Sequence, residues 1–365
     1  MERTKIKNLA RQIRGVSYKP EDLHDSLDDT AVILLRANNI DEGKINFDDV
    51  VYVDKSKVSN EQYLKVGDVL LCASSGSKQL VGKAASVDFD TPCTFGAFCK
   101  VVRPNNDVAD YLGKYFQSGV YRRKISEVAI GANINNIRNE HIDSLDIPIY
   151  ESDQVRGIVE KIGLLQSIID NRKCELSKLD EIIKARFVEM FGDPIYNTHN
   201  RPTTEFINVV KMQRGFDLPV QDRQQDGVVP VYGSNGALDH HDVAKIQGGG
   251  VITGRSGTIG KVFYTEGDYW PLNTSLFSVD THGNNVIYLA YLLELFDLTR
   301  FVEGTGVPTL NRNMFHAKQI IDVGIDEQNQ FAAFVKQVDK SKVVVQKALD
   351  EARILFDSLM QEYFG

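Results

Sequence analysis

A seam of ten heptad positions occurs twice in this chain, 173 residues apart, and it constrains the fold more than any other feature. The first copy is Ile158, Ile162, Leu165, Ile169, Arg172, Leu176, Leu179, Ile183, Arg186 and Met190, which advance by alternating fours and threes. Phe331, Val335, Val338, Lys342, Val345, Leu349, Ala352, Phe356, Leu359 and Tyr363 repeat those steps, each 173 residues after its counterpart. Both copies run into the same Phe-Gly pair, Phe191-Gly192 and Phe364-Gly365, and Pro194 follows the first as a helix stop. The chain therefore reads as two copies of one unit, a globular segment followed by a long helix.

The pattern predicts an α+β fold of four parts with a pseudo-two-fold internal repeat. Two α/β globular domains, residues 1–150 and 194–325, are separated by two long helices, 151–193 and 326–365, which form an antiparallel coiled coil. Asp153 and Gln154, then Asp326, Glu327 and Gln328, put polar and negative groups at the two helix starts, where the helix dipole favours charge of that sign. A helix from Ile158 to Met190 spans about 50 Å, against about 34 Å for one turn of B-DNA. Each helix trails its own globular segment, so antiparallel pairing predicts a dumbbell. Arg172, Arg186 and Lys342 interrupt the seams, either fixing register or snorkelling at the edges. Gly157 and Gly163 weaken the start of the first helix by about 1 kcal/mol each relative to Ala.

The globular segments follow one order of parts. AVILLRANNI, VVYVD, GDVLLCASS and GAFCKVVRP read as strands in the first, followed by a helical stretch, DVADYLGKYFQSGVYRRKISEV, and a closing loop. GGGVITGRSGTIGKVFY, IYLAYLLELFDLTRFV and GTGVPTLNRNMFHAKQIIDV stand in the corresponding places of the second. Setting Gly131 on Gly304 also sets Ile134 on Val307 and Ile137 on Leu310, while the intervening loops differ in length.

Several chemistries are excluded by their missing residues. Gly260-Lys261 is preceded by Arg255 and followed by Val262, and Gly82-Lys83 by Ser77 and Ala84, so neither run is a phosphate-binding P-loop. There is no dinucleotide fingerprint and no Asn-Pro-Pro-aromatic tetrapeptide of the amino-methylating enzymes. Cys72, Cys93, Cys99 and Cys174 lack metal or disulfide spacing, and Asp239-His240-His241-Asp242 reads as a polar loop rather than a metal site. The chain is expected to be no enzyme, to hold no metal or cofactor of its own, and to be cytoplasmic, with no apolar run of membrane length. Its 50 acidic residues against 42 basic ones, a net charge of -8, argue against binding nucleic acid by phosphate contacts alone. Any DNA contact needs local basic faces.

Polar donors gather at comparable loops of the two halves. Arg36, Asn38, Ser75, Lys78 and Gln79 mark the first, with Asn133 and Arg138 on its closing loop. Tyr232, Asn235, Arg255, Ser256, Thr258 and Lys261 mark the second, with Asn311 and Arg312 on its closing loop. Arg and Lys suit guanine edges and Asn and Gln suit adenine, so these fifteen are the candidate DNA-binding residues. Taken singly, each is equally a turn or a solvated surface residue.

The chain resembles the specificity subunit of a type I restriction-modification system. The marks are KARFVEMFGDP at the end of the first helix, VPVYGSNGALDHHD with ITGRSGTIGKV, and GTGVPTLNR opposite GANINNIRN. The resemblance implies two target recognition domains, each reading half of a split site in double-stranded DNA, held apart by the helices. It also implies docking to two methyltransferase subunits that supply S-adenosylmethionine and methylate adenine, and to restriction subunits that use ATP and Mg. Recognition domains in that family diverge, so the residues above rest on loop position and chemistry; Arg36 and Arg255 are expected to read one half-site each. Two other readings fit the repeat: a coiled-coil adaptor whose heads bind proteins or sugars, and the specificity subunit of another restriction class.

Overall fold

The computed structural model describes residues 2–77, 79–105, 108–131, 136–304, 306 and 308–365, with the backbone alone for 128–131. Lys78, Asn133, Ile134 and Val307 lie outside the described residues. The chain forms two units: one comprises Met1–Asn171 with Ala348–Gly365, the other Arg172–Lys347. Two continuous helices, Ser152–Phe191 and Ile325–Phe364, contribute part of their length to each.

In the first unit one antiparallel sheet runs in the order Ala10–Arg14, Cys99–Pro104, Val69–Cys72, Ala84–Ser86. A second sheet pairs Ala31–Leu35 with Val51–Asp54 antiparallel and with Cys93–Phe95 parallel. Arg3–Lys5 pairs with Asp146–Pro148, joining the start of the globular segment to its end. Where the sequence predicts one helical stretch, two helices form, Ala109–Gln117 and Gly119–Gly131. Ser118 makes the break: its extended backbone ends the first helix, and its buried Oγ donates to Tyr115 O at 2.6 Å and accepts from Tyr121 N at 3.1 Å.

The second unit repeats this topology, except that its second sheet has three strands where the first unit's gains a fourth, Leu23–His24. Its sheet runs Lys211–Arg214, Ser275–Asp280, Gly250–Gly254, Val262–Thr265, and Val229–Gly233 pairs antiparallel with Gly236–His241 and parallel with Trp270–Pro271. Thr203–Glu205 closes on Gln319–Ile321. Even the isolated bridges recur, Val16 to Gly96 and Phe216 to Leu272. At that crossing a Cβ on Gly15 would collide with the Gly96 carbonyl, and one on Gly215 with the Leu272 carbonyl. Only glycine lets the two strands approach so closely.

Each unit takes the end of one long helix into its core. In the first, Phe364 is fully buried against Tyr111 and Tyr115, beside Ile158, Ile162 and Met360. In the second, Phe191 is fully buried against Tyr288 and Phe331, beside Ile183, Phe187 and Val335. The stretches from the two long helices run antiparallel within a unit. In the second unit Lys342 meets Asp180 at 2.5 Å, whereas Arg201 ties the other end together by bonding Met190 O and both oxygens of Glu327. Arg3 does the same work in the first unit, donating to the carbonyls of Gly365 at 2.7 Å, Asp146 and Phe364. A guanidinium at the helix C-terminus satisfies carbonyls that have no partner in the helix and complements its dipole. All twenty seam positions are buried or half-buried, Arg172, Arg186 and Lys342 being half-buried with acidic partners at their heads.

Because these rings have no exposed surface, truncation leaves a cavity that the aromatic neighbours cannot fill. Phe364→Ala and Phe191→Ala are each expected to destabilise the full chain by about 3–5 kcal/mol in urea unfolding. A loss below about 1 kcal/mol would show that the docked helix end is dispensable.

Candidate nucleic-acid interface

In the second unit, the loop that follows Gly250–Gly254 is pinned on both sides. Arg255 N donates to Thr274 O at 2.9 Å, Leu310 N donates to Arg255 O at 2.8 Å, and Ser256 bridges to Thr309. Left-handed glycines, Gly257 and Gly260, turn the loop back, and the buried Thr253 hydroxyl donates to Lys261 O at 2.8 Å. The Ser234-Asn235 turn lies against it, with Lys261 Nζ donating to Asn235 Oδ1 at 3.1 Å. Tyr232 sets its ring edge-on to Tyr269. Thr258 is half-buried on the same loop, its carbonyl oxygen close to Gly254.

Three of the candidates converge. Arg255, Asn311 and Arg312 line one open cleft of about 310 Å³, together with Arg214, Leu276 and Glu303. Asn311 caps the helix Arg312–His316 through Asn313 N at 3.1 Å and holds Glu303 Oε2 at 2.7 Å. Arg214 is the residue that loop chemistry missed, because it ends a strand. Its signal was nonetheless present: Arg14-Gly15 and Arg214-Gly215 repeat at the crossing that requires glycine.

The first unit places its candidates differently. Arg36 Nη2 and Asn38 Nδ2 both donate to Asp49 Oδ2, at 3.0 and 2.7 Å, and buried Asn39 ties the same turn to Asn46 O and Asp49 O. These side chains hold their own loop. Ser75 Oγ accepts from Ser77 N at 3.2 Å, and Gln79 offers its carbonyl to Arg122. Arg138 is exposed beside Glu140, and its backbone N donates to His141 Nδ1. Arg14 and Lys100, which the sequence reading passed over, are register partners on neighbouring strands. Of the acidic-histidine run, His241 packs edge-on to Trp270 and Asp239 faces Arg223. Among the described residues no three His, Cys, Asp or Glu side chains are placed to share a metal ion.

His316 sits at the back of the cleft helix, its Nε2 accepting from Met212 N at 3.1 Å. Burial, with Arg312 and Lys211 nearby, holds its imidazole below the usual value. The ring must be neutral to accept that bond.

Residues 201–352 match the family described as the type I restriction modification DNA specificity domain. Two curated specificity subunits are similar to the chain, those of the type I restriction enzymes StySPI from Salmonella potsdam and EcoKI from Escherichia coli (strain K12). Each is 37% identical over 180 residues, which are 49% of this chain and 39% of the relative. The chain thus spans 39% of the length of each of these relatives, well under two thirds. Among solved structures, the S subunit of the type I restriction-modification system from M. genitalium covers 100% of this chain and 96% of itself at a TM-score of 0.55 and 13% identity. A chain from a study of complex assembly and conformational transition of the type I system gives the same TM-score and identity, covering 99% and 97%. At that identity the likeness is one of fold, and it extends to the unit outside the matched specificity domain.

Folding makes the His316 ring harder to protonate than it is in the unfolded chain. Stability from this site is complete above the unfolded value of about 6.5 and falls as pH drops through it. Thermal unfolding of the wild type between pH 7.5 and 5.5 should therefore lose more than that of His316→Gln, whose carbonyl can still accept. Parallel losses in the two proteins would remove His316 as the cause.

Proposed function

We propose that this chain is the DNA sequence-specificity subunit of a type I restriction-modification complex, each unit reading one half of a split site in double-stranded DNA. The observation that carries this is the repeated topology: the half that contains the matched residues 201–352 and the other half share the strand order of the main sheet, the bridge at the glycine crossing and helix docking. One recognition role for each unit follows from that sameness, and different half-sites follow from the different loops. A chain of net charge -8 supports the reading only where cations concentrate, as they do around Arg214, Arg255 and Arg312.

The chain is not itself the catalyst. Methyl transfer is assigned to two methyltransferase subunits carrying S-adenosylmethionine, and cleavage to restriction subunits using ATP and Mg. Support for docking comes from the long helices, which keep large apolar side chains exposed away from their seams. Leu164, Ile354 and Leu355 do so in the first unit, and Val343 and Val344 in the second. Surface of this kind is costly unless a partner covers it. No described helix is long and apolar enough to cross a membrane, which is consistent with a cytoplasmic complex.

A helix of 40 residues is about 60 Å long, and we assign the pair the role of ruler between half-sites. Selection of random duplexes by the chain copurified with the methyltransferase encoded beside it should return two fixed blocks separated by a gap of constant length. Inserting four residues, about one turn, at mid-helix in Ser152–Phe191 should change that gap and leave both blocks unaltered. An unchanged gap would refute the ruler; a pool without paired blocks, or no copurifying methyltransferase, would favour an adaptor with non-DNA heads.

A further inference from the structure

The arginines of the second unit's cleft come from three separate elements. Arg214 ends the strand Lys211–Arg214, Arg255 follows the strand Gly250–Gly254, and Arg312 begins the helix Arg312–His316. Glu303, the one carboxylate of the lining, is held by Asn311. Among the described residues none of the three guanidiniums forms an ion pair, and the Arg214 side chain reaches only the Asn273 carbonyl, at 3.4 Å. In a chain with 50 acidic residues, three like charges around one cleft without a carboxylate of their own point to an anion from outside.

A second observation comes from the equivalent edge of the first unit. There Arg14 precedes the required Gly15 as Arg214 precedes Gly215, and its register partner is Lys100, where Arg214 has Leu276. The first helical residue, Arg312 in the second unit, is Asn139 in the first, and it accepts from Lys100 Nζ at 2.6 Å. Burial and then Arg14 lower the Lys100 pKa, with Asp143 opposing. Cations thus cluster at the same topological place in both units, although different residues supply them.

We propose that this place is a seat for a backbone phosphate of duplex DNA, formed by Arg214, Arg255 and Arg312 in the second unit and by Arg14 and Lys100 in the first; it rests on the DNA reading above. A guanine edge offers two acceptors in one plane, which a single guanidinium fork satisfies. A phosphodiester accepts from several directions at once, which suits three forks around a concavity. Arg255, expected from loop chemistry to read a base, instead positions the unit on the helix backbone. Base reading in this half then falls to neighbours such as Asn235 and Lys261.

The test is the binding of the full chain to a labelled, sequence-randomised duplex of about 30 base pairs, followed by anisotropy between 50 and 200 mM salt. Arg214→Gln and Arg312→Gln should weaken binding to the whole pool alike. Each lost contact should lower the slope of log affinity against log salt by about 0.9, which removes about a 3-fold share of the salt sensitivity over that range. Arg214→Lys should restore the slope, since a point charge serves a phosphate. Arg214 is exposed, so its variants report even where a change at Arg255 harms folding. Wild-type binding with unchanged slopes in the Gln variants overturns the seat and leaves the DNA reading standing. Losses confined to particular sequences make these arginines base readers and overturn it too. Unchanged slopes with inorganic phosphate protecting the wild type, but not the variants, against heat would assign the cleft to a free ion. A wild type that ignores every duplex sinks the DNA reading itself.

Discussion

The burial of one phenylalanine at the end of each long helix is what makes two units out of this chain. Phe364 and Phe191 enter the aromatic cores of the first and second units, and Arg3 and Arg201 bond the carbonyls around them. Neither core is complete without the helix stretch it receives. Residues 348–365 belong to the first unit although they are far from it in sequence. The exposed backbone of a helix end is a liability in an apolar core, and each unit solves it with an arginine at or just before its opening strand. Such a joint fixes where each helix ends relative to the sheet that it supports.

That sheet in turn positions the cations. The strand crossings at Gly15 and Gly215 bring the backbone too close for any side chain, and the arginine just before each glycine is carried to the same edge of its unit. A scaffold that repeats while its loops vary separates two tasks. Conserved geometry can hold a duplex by its phosphates, which carry no sequence information, and the divergent loops can distinguish bases. A net charge of -8 is compatible with the proposed seats, because charges act over about 10 Å at ordinary salt and a local cluster suffices.

Much of the fold was legible in the sequence because its signals are periodic. The seam at heptad spacing, the shared Phe-Gly stops and the order of strand-like runs all survive as local patterns. Apolar spacing predicts one helical piece from Asp107 onward, since it runs through Ser118; the break depends on a hydroxyl that bonds in both directions. Site residues were less legible, for reasons of pairing. Arg36 and Asn38 have the composition of a reading loop, yet Asp49, thirteen residues beyond Arg36, engages both. Conversely, Lys100 and Arg14 are 86 residues apart and meet only through strand register, while Arg214 joins Arg255 and Arg312 only when three elements converge. Long-range register is not written in any window of the sequence, whereas a repeated Arg-Gly pair is, and it marked the edge that carries the charge.

The most direct test of the account is a methylome. A host free of DNA methylation would express the neighbouring methyltransferase with this chain, and a matched culture would express the methyltransferase alone. The account predicts methyladenine at a single split motif, with two specified blocks and an unspecified gap, only when this chain is present. Methylation at the same motif in both cultures, or at a continuous motif, would contradict the claim that two like units in one chain determine a bipartite site.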